Sequence, residues 1–392
     1  MTSAAERLRL ERLVDEACTA AGSDDFGEED GWRDGLARVV DAMIHEAQLS
    51  PLGVEFGASE LVLAMRNRLY VSSWRAEHPD VVHEKVERPI FIVGQPRTGT
   101  TILYDMLAQD PQLRSPLTWE VDNPYPAPTA ATYRTDPRIE QTQSQYDMVE
   151  SMMPGFQKIH PMGALLGQEC VRIWTGQFRS MVFSSSYRIP SYYRWLLYEP
   201  DYGPAYRYHR RYLQHLQSGV PGRWLLKSPA HIWSLDALFG EYPDAFIVQT
   251  HRDPLKVLAS VSATIHHLRK IGSDESKLAD VAEQWHEEIG VGLKREMHFR
   301  DEGAVPVDRI FDVRFADFIA HPFMVVRQIY NRLDLELRPE VEERMREFLR
   351  ANPKENAGAW YSWHDTGLDF DTVRNEVAEY QERYDVPSEP LR

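Results

Sequence analysis

Apolar and polar positions alternate at helical spacing through roughly the first 80 residues. Apolar residues recur in this way over residues 8–18, 36–43 and 61–70, and an acidic, Gly-containing stretch at 22–31 separates the first two runs. Spacings of three and four residues place such positions on one face of a helix. The pattern predicts a helical N-terminal extension over residues 1–87, either a cap or a surface for forming a homo-oligomer, and it contains no catalytic signature.

From Arg88 onward the pattern changes to short apolar segments, each followed by a loop and a helical run. The predicted strands are residues 89–93, 224–226, 245–248 and 309–313, and the predicted helices follow Gly99, Ser234, Pro254 and Pro322. Their β-branched and aromatic content, with little alternation, is typical of strands buried on both faces of a parallel sheet. This order predicts an α/β fold over residues 88–392, a parallel sheet flanked by helices, with a long helical insertion at about 122–222.

Composition narrows the class of protein. The 392 residues include 44 Lys and Arg against 60 Asp and Glu, a net charge of −16, and 43% are hydrophobic. The apolar content excludes general disorder, and the negative charge argues against nucleic acid as a partner because phosphate contacts require clustered cations. The apolar runs are too short to span a membrane, the N-terminus lacks a secretion signal, and two cysteines form neither a disulfide framework nor a metal quartet. We therefore expect a cytoplasmic enzyme that is not transmembrane and uses no metal.

The most informative segment is a buried strand that runs into a Gly-containing turn and then into a helix, over residues 91–103. In this arrangement consecutive backbone N–H groups point at one position, and the helix dipole adds positive potential. The glycines permit the tight turn and the close approach of a phosphate, and the threonines supply hydroxyl donors. The residues predicted to hold the phosphate are Gly94, Pro96, Arg97, Thr98, Gly99, Thr100 and Thr101.

This loop departs from the loop that binds nucleoside triphosphates, G-x-x-x-x-G-K-[ST]. Gly94 and Gly99 have the matching spacing, but Thr100 occupies the position of the lysine that a kinase needs to reach the β- and γ-phosphates. The cation lies inside the loop instead, at Arg97. The loop is therefore suited to one phosphate end with a cation at its bridging oxygen, rather than to a magnesium triphosphate.

A second anion anchor follows the predicted strand at 245–248. The extended segment that begins with this strand ends at Arg252. Asp253 and Pro254 suit the N-cap and the first residue of the helix that follows. Ser260 lies eight residues beyond Arg252. A guanidinium at a strand end and a hydroxyl on the following helix can converge on one phosphate. The pair therefore predicts a second phosphate site, in addition to the loop.

The two anchors together resemble those of sulfotransferases that use 3′-phosphoadenosine 5′-phosphosulfate (PAPS). The pattern P-[KR]-[ST]-G-T-T of their 5′-phosphosulfate loop matches residues 96–101, and the Arg252 and Ser260 pair matches their 3′-phosphate site. The resemblance covers roughly residues 88–385, is greatest for a bacterial branch related to tyrosylprotein sulfotransferases, and includes the segments 224–231 and 367–369. It implies a P-loop-type fold and PAPS as co-substrate, without a metal.

Sulfuryl transfer depends mainly on positioning and electrostatic stabilisation, by analogy with phosphoryl transfer. Arg97 suits the bridging oxygen and the 5′-phosphate. Lys227, at the end of a strand predicted next to the strand of the loop, suits the transferred sulfuryl group and the leaving group, and the resemblance implies the same role. Tyr361 lies where relatives fold a loop over the nucleotide, although Ala359 and Trp360 replace the basic residue that relatives often carry there.

The general base that accepts the proton of the acceptor hydroxyl has two main candidates. Glu120 follows a short extended segment at the position where tyrosylprotein sulfotransferases have their glutamate, and burial beside Trp119 would raise the pKa of its carboxyl group. His160 needs no such change because the ordinary pKa of histidine is close to neutrality. His231, Glu169 and a mechanism without a base remain open.

Aromatic residues concentrate in the predicted insertion, between residues 174 and 212. An apolar pocket would favour a small hydrophobic or amphipathic acceptor, such as an alcohol, a phenol or a lipid, whereas the same residues could equally be the core of a helical subdomain. Two functions other than sulfuryl transfer are alternatives for a chain with this loop. A P-loop kinase for a small molecule would require ATP and magnesium, and a non-catalytic nucleotide-binding protein would have no use for Glu120 and Lys227.

Overall fold

The computed structural model describes residues 3–28, 30–152, 161–199, 201–352 and 362–391. The chain forms two units, each discontinuous along the sequence. The first unit comprises Met1–Val86, Pro116–Pro221 and Ile265–Lys277. The second unit comprises Glu87–Ser115, Gly222–Thr264 and Leu278–Arg392.

Helices account for most of the described secondary structure. In chain order they are α1 (Ala4–Arg7), α2 (Leu10–Ala21), α3 (Trp32–His45), α4 (Pro51–Glu77), α5 (Thr100–Leu107), α6 (Thr118–Asp122), α7 (Pro137–Met152), α8 (Cys170–Trp174), α9 (Met181–Ser186), α10 (Pro190–Tyr198), α11 (Gly203–Gln217), α12 (Leu235–Glu241), α13 (Pro254–Arg269), α14 (Leu278–Asp301), α15 (Phe315–Ala320), α16 (Pro322–Leu333), α17 (Pro339–Ala351), α18 (Phe370–Glu376) and α19 (Ala378–Arg383). The strands are β1 (Ile90–Val93), β2 (Leu113–Arg114), β3 (Arg223–Lys227), β4 (Phe246–His251) and β5 (Ile310–Arg314).

The second unit contains a parallel sheet with the strand order β2-β3-β1-β4-β5. Ile90 of β1 pairs with Leu225 of β3 on one side and with Phe246 of β4 on the other. The α/β prediction is confirmed, and so are its four strands. β2 is not predicted from the sequence, because two residues, one of them charged, form no apolar run.

The core of the second unit explains why apolar and polar residues do not alternate along β1. Every residue of β1 is buried, as expected where helices cover both faces of a sheet. Ile90 and Ile92 belong to the same apolar cluster as Leu103 of α5 and Ile329 of α16. The predicted starts of α5, α12, α13 and α16 are confirmed to within a residue. The sheet therefore presents the ends of β1, β3 and β4, and the segments that follow them, to the candidate site.

The first unit has its own core, built from segments that are far apart in sequence. The three predicted N-terminal helical runs lie in α2, α3 and α4. Trp32 and Leu61 from these helices share a buried cluster with Phe178, Tyr192 and Trp195 from the predicted insertion. The packing therefore joins the extension and part of the insertion, a grouping that a division at residue 87 does not anticipate. The division into domains 1–87 and 88–392 stays a prediction.

Candidate active site

The loop between β1 and α5 is a tight turn in which Gly94, Arg97 and Gly99 have positive φ. Gly94 has φ +139°, and a Cβ atom added there would lie 2.5 Å from Oγ1 and 2.6 Å from the carbonyl oxygen of Thr250. Gly99 has φ +90°, and its Cβ would lie 2.9 Å from the ring of Phe315. Both positions therefore require glycine, for conformation and for space.

We expect Gly94→Ala to destabilise the protein by on the order of 1–3 kcal/mol, through backbone strain and the clash with Thr250. Urea unfolding of the variant against wild type measures the loss. Gly240→Ala is the matched control, because Gly240 lies in α12 and no heavy atom lies within 4 Å of the added Cβ. Equal stability of the two variants would contradict the close packing assigned to Gly94.

Thr98 closes the loop from inside. Its hydroxyl donates to the carbonyl oxygen of Gln95 at 2.6 Å and lies 2.6 Å from Oγ1 of Thr250. The side chain is buried, and its hydroxyl is already used in hydrogen bonds within the protein. We therefore predict that Thr98 binds a phosphate through its backbone N–H. Pro96 is half-buried, Arg97 is exposed, and Thr100 and Thr101 open α5.

Arg97 joins the loop to the second predicted anchor. It has φ +66°, which is uncommon for a residue other than glycine and marks a tight turn. Its Nε donates to Oγ of Ser260 on α13 at 3.2 Å, and its carbonyl oxygen accepts a hydrogen bond from Nη1 of Arg252 at 2.8 Å. The structure therefore brings Arg97, Arg252 and Ser260 together.

Arg252 is held more tightly than its sequence position suggests. It follows β4 directly, and its guanidinium lies 4.0 Å from the ring centre of Phe315. Nε and Nη2 donate to the two carboxylate oxygens of Glu389, at 2.6 and 2.8 Å. Phe315 and Glu389 are not predicted as site residues from the sequence, because no local motif connects them to Arg252.

Lys227 lies beside the first turn of α5, the helix that follows the loop. It is 3% exposed at the end of β3, the neighbour of β1, so its predicted place next to the strand of the loop is confirmed. Its Nζ donates to Oγ1 of Thr101 at 3.1 Å and lies 5.4 Å from the ring centre of Tyr104. A buried ammonium next to the predicted phosphate loop is a strong electrostatic group, because the surroundings screen it less than water does.

Glu120 belongs to the first unit and is fully buried in α6. Its Oε1 accepts hydrogen bonds from the backbone N–H of Leu117 and from the hydroxyl of Tyr133, both at 2.9 Å. The first bond caps the start of the helix, and the second connects the carboxylate to a side chain that packs against Trp119. The carboxylate thus has a defined position within its unit.

Two predicted site residues, His160 and Tyr361, lie outside the described residues. The aromatic side chains between residues 174 and 212 are described, and all of them except Tyr198 are buried. Trp174 packs edge-on against Tyr206, and the ring of Phe178 stacks nearly parallel on that of Phe183, whereas Tyr198 is exposed. These residues therefore form core, as in the second of the two interpretations given for the sequence. They do not by themselves indicate a pocket for an acceptor.

Two further features bear on the kind of protein. In the part of the chain that the structure describes, no three His, Cys, Asp or Glu side chains are grouped so as to hold a metal ion. None of the described helices has both the length and the apolar composition needed to cross a membrane.

Comparison with known proteins gives consistent results. The family model described as "Sulfotransferase family" matches residues 89–339, more than half of the chain. The crystal structure of sulfotransferase STF9 from Mycobacterium avium is 28% identical, with a TM-score of 0.89, and the match covers 99% of this chain and 98% of that one. Sulfotransferase STF1 from Mycobacterium tuberculosis H37Rv is 31% identical, with a TM-score of 0.84, over 94% of this chain and 98% of that one.

The name of a further relative includes its substrate. It is the omega-hydroxy-beta-dihydromenaquinone-9 sulfotransferase Stf3 of Mycobacterium bovis, 27% identical over 258 residues. The match spans 63% of this chain and 63% of the relative's own length.

Proposed function

This chain belongs to the sulfotransferase family, and from that premise we propose that it transfers a sulfuryl group from PAPS to the hydroxyl of a small acceptor. One observation carries the proposal beyond family membership. Arg97 of the loop contacts Ser260 through Nε and Arg252 through its carbonyl oxygen, so the two predicted phosphate anchors adjoin. Two phosphate sites in one unit suit a nucleotide with phosphates at both its 3′ and 5′ positions.

The proposed chemistry is a displacement at sulfur. A bond forms between the acceptor oxygen and sulfur while the bond from sulfur to the bridging phosphate oxygen breaks, and adenosine 3′,5′-bisphosphate leaves. Arg97 and Lys227 would stabilise the charge that develops on the leaving phosphate. Glu120, or His160 in its place, would take the proton of the acceptor hydroxyl. Side-chain cations take the part that magnesium plays in phosphoryl transfer, so no metal is included.

For the acceptor we propose a hydroxyl on a lipid-like or otherwise apolar molecule. The support is the name of the Stf3 relative, which acts on an omega-hydroxylated dihydromenaquinone. A cytoplasmic location and a homo-oligomer also remain parts of the proposal. Incubating the enzyme with labelled PAPS and a panel of prenyl quinone alcohols, phenols and polysaccharides tests the acceptor class.

Calorimetry tests the nucleotide site. We expect adenosine 3′,5′-bisphosphate to bind more tightly than ATP, with or without magnesium. Arg252→Ala should weaken bisphosphate binding by about 30- to 100-fold, because hydrogen bonds between charged groups are lost. Arg350→Ala is the matched control, since Arg350 is an exposed arginine paired with Glu343.

Each alternative has its own signature in these measurements. Tight, magnesium-dependent binding of ATP with no preference for the bisphosphate would indicate a kinase and reject the proposal. Binding of the bisphosphate without sulfated product from any member of the panel would favour a non-catalytic nucleotide-binding protein.

A further inference from the structure

The last residues of the chain reach the predicted 3′-phosphate anchor. Glu389 accepts two hydrogen bonds from Arg252, at 2.6 and 2.8 Å, and both side chains are largely shielded from solvent. From this geometry we propose that Glu389 is a positioning residue, which holds the guanidinium of Arg252 ready for the 3′-phosphate of the nucleotide. The inference rests on the proposed function and adds a residue to the same site.

The guanidinium of Arg252 is restrained from three directions. The ring of Phe315 lies against its face, the carboxylate of Glu389 occupies the edge formed by Nε and Nη2, and the carbonyl oxygen of Arg97 accepts from Nη1. A guanidinium has five N–H donors. Among the described residues three of these donors have a hydrogen-bond partner, which leaves one N–H on Nη1 and one on Nη2 for a ligand.

This arrangement favours binding of an anion through its effect on entropy. A free arginine side chain loses rotamer freedom when it binds a ligand, whereas a side chain that is already fixed does not lose it again. A carboxylate that orients a binding side chain in this way resembles the outer-sphere groups that orient metal ligands. In this assignment Glu389 orients the guanidinium of Arg252 and does not itself contact the nucleotide.

The C-terminal segment is anchored by contacts that do not involve Arg252. The backbone N–H of Glu389 donates to Asp253 at 2.7 Å, and Nζ of Lys256 donates to the carbonyl oxygen of Pro390 at 2.9 Å. Asp253 is itself held by two hydrogen bonds from Arg374, at 2.7 and 3.1 Å. If Glu389 occupied the position of the phosphate and were displaced by the nucleotide, its segment would be held chiefly by the guanidinium of Arg252. The contacts of Asp253 and Lys256 hold the segment independently, which favours a carboxylate that stays in the site when the nucleotide binds.

Calorimetric titration of the full chain with adenosine 3′,5′-bisphosphate and with adenosine 5′-monophosphate tests the assignment. We expect Glu389→Ala to weaken binding of the bisphosphate about tenfold and binding of the monophosphate less than about twofold, because only the bisphosphate uses Arg252. Glu389→Gln should fall between Glu389→Ala and wild type, since its amide oxygen still accepts one hydrogen bond. Glu382→Ala is the matched control, because Glu382 is exposed in the same region and carries the same charge.

The possible results separate this inference from the proposed function. Unchanged or tighter bisphosphate binding by Glu389→Ala would reject the positioning role, and tighter binding would identify the carboxylate as a competitor of the phosphate. An equal loss for both nucleotides, with a lowered unfolding temperature, would reduce Glu389 to a structural residue. If Arg252→Ala itself binds the bisphosphate as wild type does, the anchor of the proposed function fails.

Discussion

Replacing Lys227 by alanine is expected to lower the rate of sulfuryl transfer by about a hundredfold to a thousandfold. The expected loss is large because the ammonium is buried, lies 3.1 Å from Thr101 at the start of the loop helix, and acts where water screens it little. Its interaction with the substrate grows as charge develops on the leaving phosphate, so the rate should fall more than the affinity for PAPS, in which that charge has not yet developed. Initial rates with labelled PAPS, and calorimetry with PAPS in the absence of an acceptor, measure the two quantities separately.

Lys227→Met gives a sharper version of the same experiment. Methionine keeps most of the apolar stem and removes the charge, so a loss of rate equal to that of Lys227→Ala would assign the effect to the ammonium. Lys294→Ala is the control, because Lys294 is an exposed lysine on α14 of the same unit. Normal turnover by both Lys227 variants would contradict the catalytic role and favour a non-catalytic protein.

The second large effect is expected at Glu120. Loss of a general base lowers the rate by about a hundredfold to ten-thousandfold, and we expect Glu120→Gln to fall within this range with nucleotide binding intact. Glutamine is the informative replacement because its amide oxygen can still accept the hydrogen bonds from the N–H of Leu117 and from the hydroxyl of Tyr133. The start of α6 should therefore keep its conformation, which thermal unfolding of the variant verifies.

Two companion variants complete this experiment. Glu140→Gln, on the exposed side of α7, has the same chemical change outside the proposed machinery and should turn over as wild type does. His160→Ala tests the alternative base. If His160→Ala loses turnover and Glu120→Gln retains it, the assignment of the base moves to His160.

Features that depend on neighbouring residues could be predicted from the sequence. The turn between β1 and α5 is such a feature, because the positive φ values of Gly94 and Gly99 and the start of α5 are set by the turn itself. Four of the five described strands were predicted because each contains a short apolar run, although β5 at the edge of the sheet is only partly buried. Arg252 and Ser260 were paired because a strand end and the next helix are adjacent in the chain.

Features that depend on distant segments could not be predicted in this way. Glu389 is 137 positions from Arg252 along the chain, and no spacing rule connects two side chains that meet only after folding. The grouping of the N-terminal helices with the aromatic segment is of the same kind. Aromatic residues are expected wherever apolar surface is removed from water, and composition alone does not distinguish a packed core from a binding pocket.

The sequence by itself determined the α/β class, the glycine-containing turn between β1 and α5 and the identity of the charged residues at the strand ends, since backbone conformation and hydrophobic periodicity are local properties. The tertiary structure decided which of those charges are buried, which partners hold them, and which aromatic residues are core. The reason is that burial and side-chain pairing depend on the order of strands in the sheet and on where the end of the chain packs, and neither is encoded in any short stretch of residues.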